Sequence, residues 1–206
     1  MSTRTPLLSI LVCGTPRRAQ SHALPLIAKL EKQATHLPVE ILYLLDNKRR
    51  SVGLKRQALL DIARGDYVAF VDDDDDVSPD YLALTCEIAA RDRPDVVTFE
   101  QEADIAGQIG RISFGLGNPN EPFRAGGTAR RNAWHVCAWS RHLAQIARFP
   151  DLMDGEDWAW ASQLCTVATT SAHIPRVLHY YYFRPAMTEA SGMNIQRSET
   201  GEASSL

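Results

Sequence analysis

The sequence lacks the long apolar segment that a membrane-spanning helix requires. No run of about 18 apolar residues occurs in it, and a span needs about 20. The opening segment MSTRTPLLSILVCG has only a short apolar stretch and no evident small-residue cleavage site, so we do not expect a secretory signal. These absences favour a cytoplasmic protein that has no membrane span and meets a membrane only peripherally, if at all.

Paired cysteines and a strong charge of one sign are also missing. The 4 cysteines are scattered, without the spacing of a zinc site or a disulfide framework, and suit buried thiols of a reducing compartment. The net charge of −3 offers no basic face of the kind that nucleic-acid binding usually needs. What the chain does have is 45% hydrophobic residues in 206, enough for the core of one domain.

Strand and helix patterns alternate along the first half of the chain. Apolar runs predict strands at 7–13, 39–45, 67–71 and 96–100, and helical spacing predicts helices at 20–34, 53–64 and 79–91. Gly65 is the expected stop of the second helix. This alternation indicates an α/β fold, Rossmann-like, with a mostly parallel central sheet and helices on both faces.

The second half begins with a different composition. Residues 103–132 are rich in Gly, Pro, Asn and Arg, which predicts a hairpin or an irregular region with a brief strand at 111–114. Further strands are expected at 135–139 and 177–183, and further helices at 141–147 and 156–166. The polar segment 187–206 is expected to be a flexible tail.

Five consecutive aspartates, Asp72 to Asp76, follow the apolar run Tyr67–Val71. Ser78 and Pro79 predict the cap and the first residue of a helix directly after them. The acids are therefore expected at the carboxyl end of a strand, which is where open α/β sheets bind ligands.

The spacing within the aspartate run predicts different roles for its members. On an extended backbone Asp72 and Asp74 point the same way, so that one can grip a nucleotide sugar while the other meets a metal ion. Some of Asp73, Asp75 and Asp76 should then be structural. Carboxylate oxygens suit Mg²⁺ or Mn²⁺, which in turn suits a phosphate-bearing substrate. A solvated acidic patch that caps the helix is the alternative.

A second acidic element lies in the segment GEDWAW, residues 155–160. Gly155 precedes a helical pattern, so Glu156 and Asp157 are expected in the first turn, where the helix dipole by itself would favour acids. Because adjacent helical residues diverge by about 100°, one acid can enter a cleft while the other braces the loop. Trp158 and Trp160 beside them are candidate platforms for a sugar ring.

Basic residues follow the first two predicted strands, at Arg17–Arg18 and at Lys48–Arg50 together with Lys55 and Arg56. A charged face in solvent would explain them, but they should lie at the same sheet edge as the aspartates, where a diphosphate needs cations.

Asp46, directly after the second strand, is a turn former or an acceptor for a base N–H. His179, inside an aromatic strand, is a core histidine or a metal ligand.

These segments, in this order, resemble the family 2 glycosyltransferases, which have the GT-A fold. The matching stretches are SILVCGTPRR, ILYLLDN, VGLKRQALLDIARGDYVAFVDDDDDVSPDYL and FPDLMDGEDWAW. Gln57 stands where the family's Gly-x-x-Arg-Asn helix start usually has Asn. The resemblance covers roughly 7–183. It implies a GT-A domain at 1–186, with a nucleotide-sugar-binding half at 7–102 and an acceptor-side half at 103–186.

The resemblance implies transfer of a sugar from a nucleotide diphosphate, with UDP expected, to an acceptor hydroxyl. The expected cofactor is Mn²⁺ or Mg²⁺ and the expected course is inverting, by single displacement. The acceptor stays open between a glycan, a lipid-linked glycan, a protein and a modified nucleobase.

The same resemblance implies a role for each matching residue. Donor binding falls to Thr15, Arg18, Asp46, Lys55, Arg56, Asp72 and Asp73; metal binding to Asp74, with His179 as a further candidate; general base catalysis to Asp157; and acceptor contact or support to Glu156 and Trp158.

Two alternatives remain at this point. A metal-dependent nucleotidyltransferase also has an α/β sheet with a metal at a strand end, but its Gly-rich loop after the first strand is missing, since Gly14 stands there by itself. A non-catalytic nucleotide-sugar-binding module would not need the second acidic element.

Overall fold

The computed structural model describes residues 5–46 and 49–184. Its strands are β1 Leu8–Gly14, β2 Val39–Leu45, β3 Tyr67–Phe70, β4 Asp76–Val77, β5 Val96–Ile105, β6 Gln108–Phe114, β7 Thr128–Arg131, β8 Ala138–Ser140 and β9 Ser171–Phe183. Its helices are α1 Leu24–Ala34, preceded by a π-helical turn at Ala19–Ala23, α2 Val52–Ile62, α3 Tyr81–Asp92, α4 Arg141–Ala144 and α5 Glu156–Val167. The tail predicted at 187–206 and the basic residue Lys48 lie outside the described residues.

The strands form one sheet in the order β2-β1-β3-β8-β5-β6-β7. β1 pairs in parallel with β2 and β3, whereas β8 is antiparallel to both β3 and β5. β9 runs parallel to β5 and pairs antiparallel with the short β4. Because β1, β2 and β3 are parallel, their carboxyl ends meet at one edge, so the segments that follow them lie together as predicted.

The helices cover the sheet in two groups. Helices α1 and α3 contact each other, and α2, α4 and α5 form the second group. The α5 group encloses an aromatic core in which Phe149 stacks on Trp160 with ring centroids 4.6 Å apart and Phe70 meets both rings edge-on. This core fixes α5 against the end of β3, next to the aspartate run.

The region at 103–132 contains the predicted hairpin. β5 and β6 pair antiparallel around Ala106 and Gly107, which both have positive φ angles (52° and 89°). Two consecutive left-handed residues match the right-handed twist of the flanking strands. β7 then adds to β6 in parallel, so the strand expected at 111–114 is part of a longer element.

Several predicted boundaries were wrong: β5 extends to Ile105, β9 begins at Ser171, and α4 ends at Ala144. Two further differences have a visible local cause. Helix α3 begins at Tyr81 and not at Pro79, because the Ser78 hydroxyl donates to Asp80 while Gln33 of α1 accepts from the Leu82 N–H. The strand expected at 135–139 begins only at Ala138, because a turn closed by the Cys137 N–H and the Trp134 carbonyl (3.0 Å) precedes it.

Candidate active site

The aspartate run is a turn and not an extended strand. β3 ends at Phe70, and the Asp75 N–H donates to the Asp72 carbonyl at 3.1 Å, which closes a turn over Asp73 and Asp74. The prediction that Asp72 and Asp74 lie on an extended backbone was therefore wrong. Both side chains nevertheless line the same cavity, because the turn returns Asp74 to the side of Asp72.

The buried aspartates of the run accept hydrogen bonds from backbone N–H groups, and one of them also pairs with an arginine. Asp73 accepts from the Thr15 N–H at 3.2 Å and pairs with Arg18, and Asp75 accepts from the Tyr182 N–H at 3.1 Å. Arg18 also donates to Asp74 at 2.9 Å. Asp73 and Asp75 thus have contacts of the kind expected of structural residues, but Asp75 also lines a cavity, and the functional roles of all these aspartates stay predictions.

Arg56 of α2 joins the two acidic elements of the sequence. Its Nη2 donates to Asp72 at 2.8 Å and its Nε donates to Glu156 at 3.0 Å. The close approach of α2 to the loop before α5 depends on Gly53, since a Cβ there would lie 1.9 Å from the Pro150 carbonyl oxygen. The Gly-x-x-Arg spacing therefore places a buried guanidinium between acids that are far apart in sequence.

Asp157, in the first turn of α5, is surrounded by donors. Its Oδ1 accepts from the Trp158 N–H at 2.7 Å, and its Oδ2 accepts from the Trp134 indole at 3.0 Å. His135 lies beside it, with Nδ1 3.1 Å from the same Oδ2 and Nε2 3.6 Å from an oxygen of Asp72. His135 therefore stands between the two acidic elements.

Two cavities meet at these carboxylates. The basic cavity, of about 170 Å³, is lined by Cys13, Arg18, Val52, Lys55, Arg56, Asp72, Asp74, Met153, Asp154, Glu156, Asp157, Tyr181 and Tyr182. The aromatic cavity, of about 400 Å³, is lined by Asp72, Asp75, Gln101, Ile112, Phe114, Arg131, Trp134, His135, Val136, Asp154, Gly155, Asp157, Trp158 and Tyr181. Asp72, Asp154, Asp157 and Tyr181 belong to both.

A larger cavity of about 720 Å³ lies at the opposite sheet edge, beside Pro38 and Arg64. It contains none of the acids discussed above, so we give it no catalytic role.

The electrostatics separate the carboxylates into two sets. Burial raises the pKa of Asp157 and of Asp72, but His135 and Arg56 more than offset it, so both pKa values lie below the ordinary range. Burial and the charge of Asp72 raise the pKa of Asp74 to about 6, and they also raise the pKa of Asp75 well above its ordinary value. The site therefore keeps Asp72 and Asp157 ionised and places Asp74 and Asp75 in a negative electrostatic environment that disfavours their ionisation.

The remaining predicted site residues lie as follows. Asp46 does not line the basic cavity; it accepts from the Arg50 N–H at 3.2 Å and lies 3.9 Å from the ammonium of Lys55, which does. His179 is fully buried, with Nδ1 3.0 Å from the Gln101 amide and Nε2 3.6 Å from Asp75. Burial lowers the pKa of His179 to about 4, which keeps it neutral.

The two tryptophans of GEDWAW have different environments. Trp158 is 55% exposed at the aromatic cavity, whereas Trp160 is buried and donates to the Ala144 carbonyl at 3.1 Å. Trp160 is therefore a core residue and not a platform for a sugar.

Sequence reasoning missed His135, Trp134 and Tyr181. The apolar pattern of HVCAW predicts a strand that includes His135, and the turn at Trp134–Cys137 that brings His135 to the acids has no Gly or Pro to signal it. The only available signal was one histidine inside an apolar run.

A complete metal site was not found among residues 5–46 and 49–184, where no three His, Cys, Asp or Glu side chains converge suitably. Asp74 can supply one carboxylate, and its raised pKa reflects negative charge that a cation would neutralise. Since Mg²⁺ often binds through one or two carboxylates together with substrate phosphates and water, the residues present fit such an ion. His179 forms no recorded contact with Asp74 in the described part of the chain.

The described helices include none with the length and apolar character needed to span a bilayer.

Comparison with known proteins supports the resemblance inferred from the motifs. Residues 26–111 match the family model for glycosyl transferase family 2. This segment contains Lys55, Arg56 and the aspartate run, but neither His135 nor Asp157. A search of curated proteins returned no match.

Solved structures show the same fold. The chain resembles S. aureus TarS 1–349 in complex with UDP-GlcNAc, at a TM-score of 0.61 and 16% identity, covering 86% of this chain and 58% of that one. The complex of the same fragment with UDP gives 0.61 and 16%, covering 86% and 61%, and the longer TarS structure gives 0.58 and 16%, covering 86% and 37%. This chain thus spans less than two thirds of the TarS chains it matches. The predicted GT-A fold is confirmed.

Proposed function

We propose that this chain is a glycosyltransferase that moves a sugar from a nucleotide diphosphate, with UDP the expected nucleotide, to an acceptor hydroxyl. The family match over 26–111 and the fold shared with TarS, whose structures were obtained with UDP-GlcNAc and with UDP, support this class of activity. The observation that carries the proposal is that the basic and aromatic cavities meet at Asp72 and Asp157.

The basic cavity has the charges that a diphosphate needs. Arg18, Lys55 and Arg56 line it, and the Nη1 of Arg56 is buried without a hydrogen-bond partner in the described residues. A buried guanidinium N–H without an acceptor is costly, and a phosphate oxygen would satisfy it with a charge-assisted hydrogen bond. The cavity therefore suits the diphosphate of the donor, with Asp72 and Asp73 in the donor-binding roles that the family resemblance implies.

A divalent cation, Mn²⁺ or Mg²⁺, is the proposed cofactor, held by Asp74 together with donor phosphates. Such an ion supplies Lewis-acid stabilisation of the leaving nucleotide diphosphate. The chain itself contributes Arg18, which already contacts both Asp73 and Asp74 and would keep the turn in place as the donor binds. His179 is better suited to support Asp75 than to enter the ligand set, because it is buried and 3.6 Å from that side chain.

Asp157 is the proposed general base. Its ionised state fits a proton acceptor, and it lies at the junction through which an acceptor in the aromatic cavity would reach the donor sugar. A single displacement from that side inverts the anomeric centre. Glu156 does not share this role, since it is buried against Arg56. Trp158 offers an exposed indole face at the aromatic cavity for the acceptor.

The proposal is tested by measuring UDP release from a panel of UDP-sugars, beginning with UDP-GlcNAc, with Mn²⁺ and with EDTA. Asp157→Asn should retain UDP affinity in titration calorimetry and lose roughly 10²- to 10⁴-fold in turnover, the range for a general base. The matched control is Asp151→Asn, an exposed acid of the same loop that lines neither cavity.

Three other outcomes would contradict the proposal. Equal turnover by Asp157→Asn would exclude this residue as the base. Pyrophosphate release from a nucleoside triphosphate would point to a nucleotidyltransferase instead. Tight UDP binding with no turnover of any sugar nucleotide, with or without added glycan acceptors, would point to a binding module.

A further inference from the structure

His135 contacts both acidic elements of the site from a position that the family match does not include. Its Nδ1 lies 3.1 Å from Oδ2 of Asp157 and its Nε2 lies 3.6 Å from Oδ2 of Asp72. Asp72 and Asp157 each line both cavities, whereas the histidine ring itself lines only the aromatic one. A single buried side chain therefore connects the carboxylate proposed to touch the donor with the one proposed to receive the acceptor proton.

The ring is fixed by its surroundings and not by aligned hydrogen bonds. The Phe70 N–H donates to the His135 carbonyl at 3.3 Å, and the ring packs 6.5 Å from that of Phe70 and 6.3 Å from that of Trp134. Both ring nitrogens are buried, and neither has a well-aligned hydrogen bond among the described residues. The contacts of His135 with the carboxylates are therefore contacts between charges, which act over distance and tolerate imperfect alignment.

These contacts leave the two oxygens of Asp157 unequal. Oδ2 faces both the Trp134 indole and the His135 ring, whereas Oδ1 accepts a single hydrogen bond from within residues 5–46 and 49–184, donated by the Trp158 N–H. Since each carboxylate oxygen has about two acceptor positions, Oδ1 keeps one for a substrate hydroxyl. If the ring on the Oδ2 side were removed, the carboxylate could rotate away from this orientation, and its free acceptor position would no longer point to the same place.

We propose that His135 is a positioning residue that holds Asp157 with Oδ2 occupied and Oδ1 available to the acceptor, and that links this orientation to Asp72 in the basic cavity. The inference rests on the proposed function for its catalytic meaning, but the pairing of the three side chains is a separate physical claim.

The charges that face His135 set the expected protonation. Burial and the nearby Arg56 guanidinium lower the pKa of His135, but Asp157 and Asp72 outweigh them and raise it above the ordinary value. Glu156 lies next to Asp157 in α5 and is neutralised by Arg56, and His179 is neutral. The two carboxylates therefore favour the imidazolium form, in which both nitrogens are donors, over the neutral ring.

The pairing is tested on the full chain without any substrate. Ring nitrogen shifts of His135 measured by NMR across pH should show an imidazolium that persists above about pH 6.5, the ordinary histidine midpoint. Asp157→Asn should lower that midpoint, whereas His173→Asn, which replaces a histidine 3.3 Å from Glu100 outside both cavities, should leave the His135 midpoint unchanged. A His135 midpoint at or below the ordinary value, or one that Asp157→Asn leaves unchanged, would overturn the proposal.

The positioning role is tested by a double-mutant cycle on UDP release. His135→Asn should lower kcat roughly 10- to 100-fold, as expected when a catalytic group is misplaced by about 1 Å, with little change in KM for the UDP-sugar. The double variant with Asp157→Asn should be no slower than Asp157→Asn, because His135 acts through that residue. His173→Asn is the matched control and should retain wild-type turnover.

The two claims fail in different ways. If the kcat losses of His135→Asn and Asp157→Asn multiply in the double variant, or if His135→Asn leaves kcat unchanged, the positioning role is overturned. The proposed glycosyltransferase activity would be unaffected by either result. If the wild-type chain turns over no sugar nucleotide, the proposed function fails and the catalytic part of this inference fails with it, whereas the NMR titration still decides whether the pairing exists.

Discussion

Replacing Arg56 by Met should destabilise the protein in a way that depends on pH. Arg56 is buried and pairs with Glu156, whose side chain is 5% exposed. In Arg56→Met the chain retains a side chain of similar length, but Glu156 loses its hydrogen-bond donor and its counter-charge. Asp72 loses one of its two cationic neighbours and keeps His135.

The magnitude follows from what Glu156 would do. Burial already raises the pKa of Glu156 even beside Arg56; without the guanidinium, the group should fold in its protonated form. Protonating a carboxyl with an ordinary pKa of about 4.5 costs about 1.4 kcal/mol per pH unit above that value, or about 3 kcal/mol at pH 7. This agrees with the roughly 3–5 kcal/mol measured when one partner of a buried pair is removed.

The sign of the pH dependence is fixed by the same reasoning. In the variant, Glu156 has a folded pKa above its unfolded one, so stability is present below pH 4.5 and is lost as pH rises toward the folded pKa. The deficit relative to wild type should therefore shrink from about 3 kcal/mol at pH 7 to about 1 kcal/mol at pH 5. Adding Glu156→Gln should recover part of the loss at pH 7.

Urea unfolding at pH 7 and pH 5 measures both quantities. The control is Arg64→Met, since Arg64 also pairs with a glutamate, Glu40, but is 74% exposed, so that the cost should stay below about 1 kcal/mol. A loss below about 1 kcal/mol in Arg56→Met at pH 7, or an equal loss at the two pH values, would refute the account of a buried charge pair.

The remaining predictions concern Asp74 and Gly53. Because the pKa of Asp74 is raised to about 6, its ionisation lowers the stability of the metal-free protein as pH rises from about 4 to about 6. Asp74→Asn should therefore raise Tm at pH 7.5 and have little effect on Tm near pH 4. The same variant should abolish Mn²⁺-dependent UDP binding in calorimetry. A lower Tm, or unchanged metal-dependent affinity, would contradict this. Gly53→Ala should cost about 1–3 kcal/mol in urea unfolding, because its Cβ would overlap the Pro150 carbonyl; a cost within about 0.5 kcal/mol would mean that the loop yields.

Much of the fold was predictable because it depends on local pattern. The apolar runs at 7–13 and 39–45 and the helical spacing at 53–64 each led to an element close to the observed one. Gly155, with a φ of 77°, and the acids after it correctly located the start of α5. Helix α3 was misplaced because its first turn is capped by Gln33 from another helix, a contact that no local pattern contains.

Some features of the candidate site could likewise be predicted from the sequence, and others could not. The residues that the motifs contributed, such as Asp72, Arg56 and Asp157, were found from sequence because acids and cations at strand and helix ends are visible there. The sequence correctly predicted that Asp72 and Asp74 face the same cavity, but it predicted the wrong backbone conformation, because the two residues lie in a turn and not in a strand.

By itself the sequence determined which segments become strands and helices and which polar groups stand at their ends, because periodicity and termini are properties of neighbouring residues. Only the tertiary structure decided that His135 stands between Asp72 and Asp157 and that Arg56 ties one acidic element to the other. The two hydrogen bonds of Arg56, for example, join residues that are 16 and 100 positions apart in the sequence. The energy of such pairs depends on burial and on distance, and both are set only when the sheet has assembled.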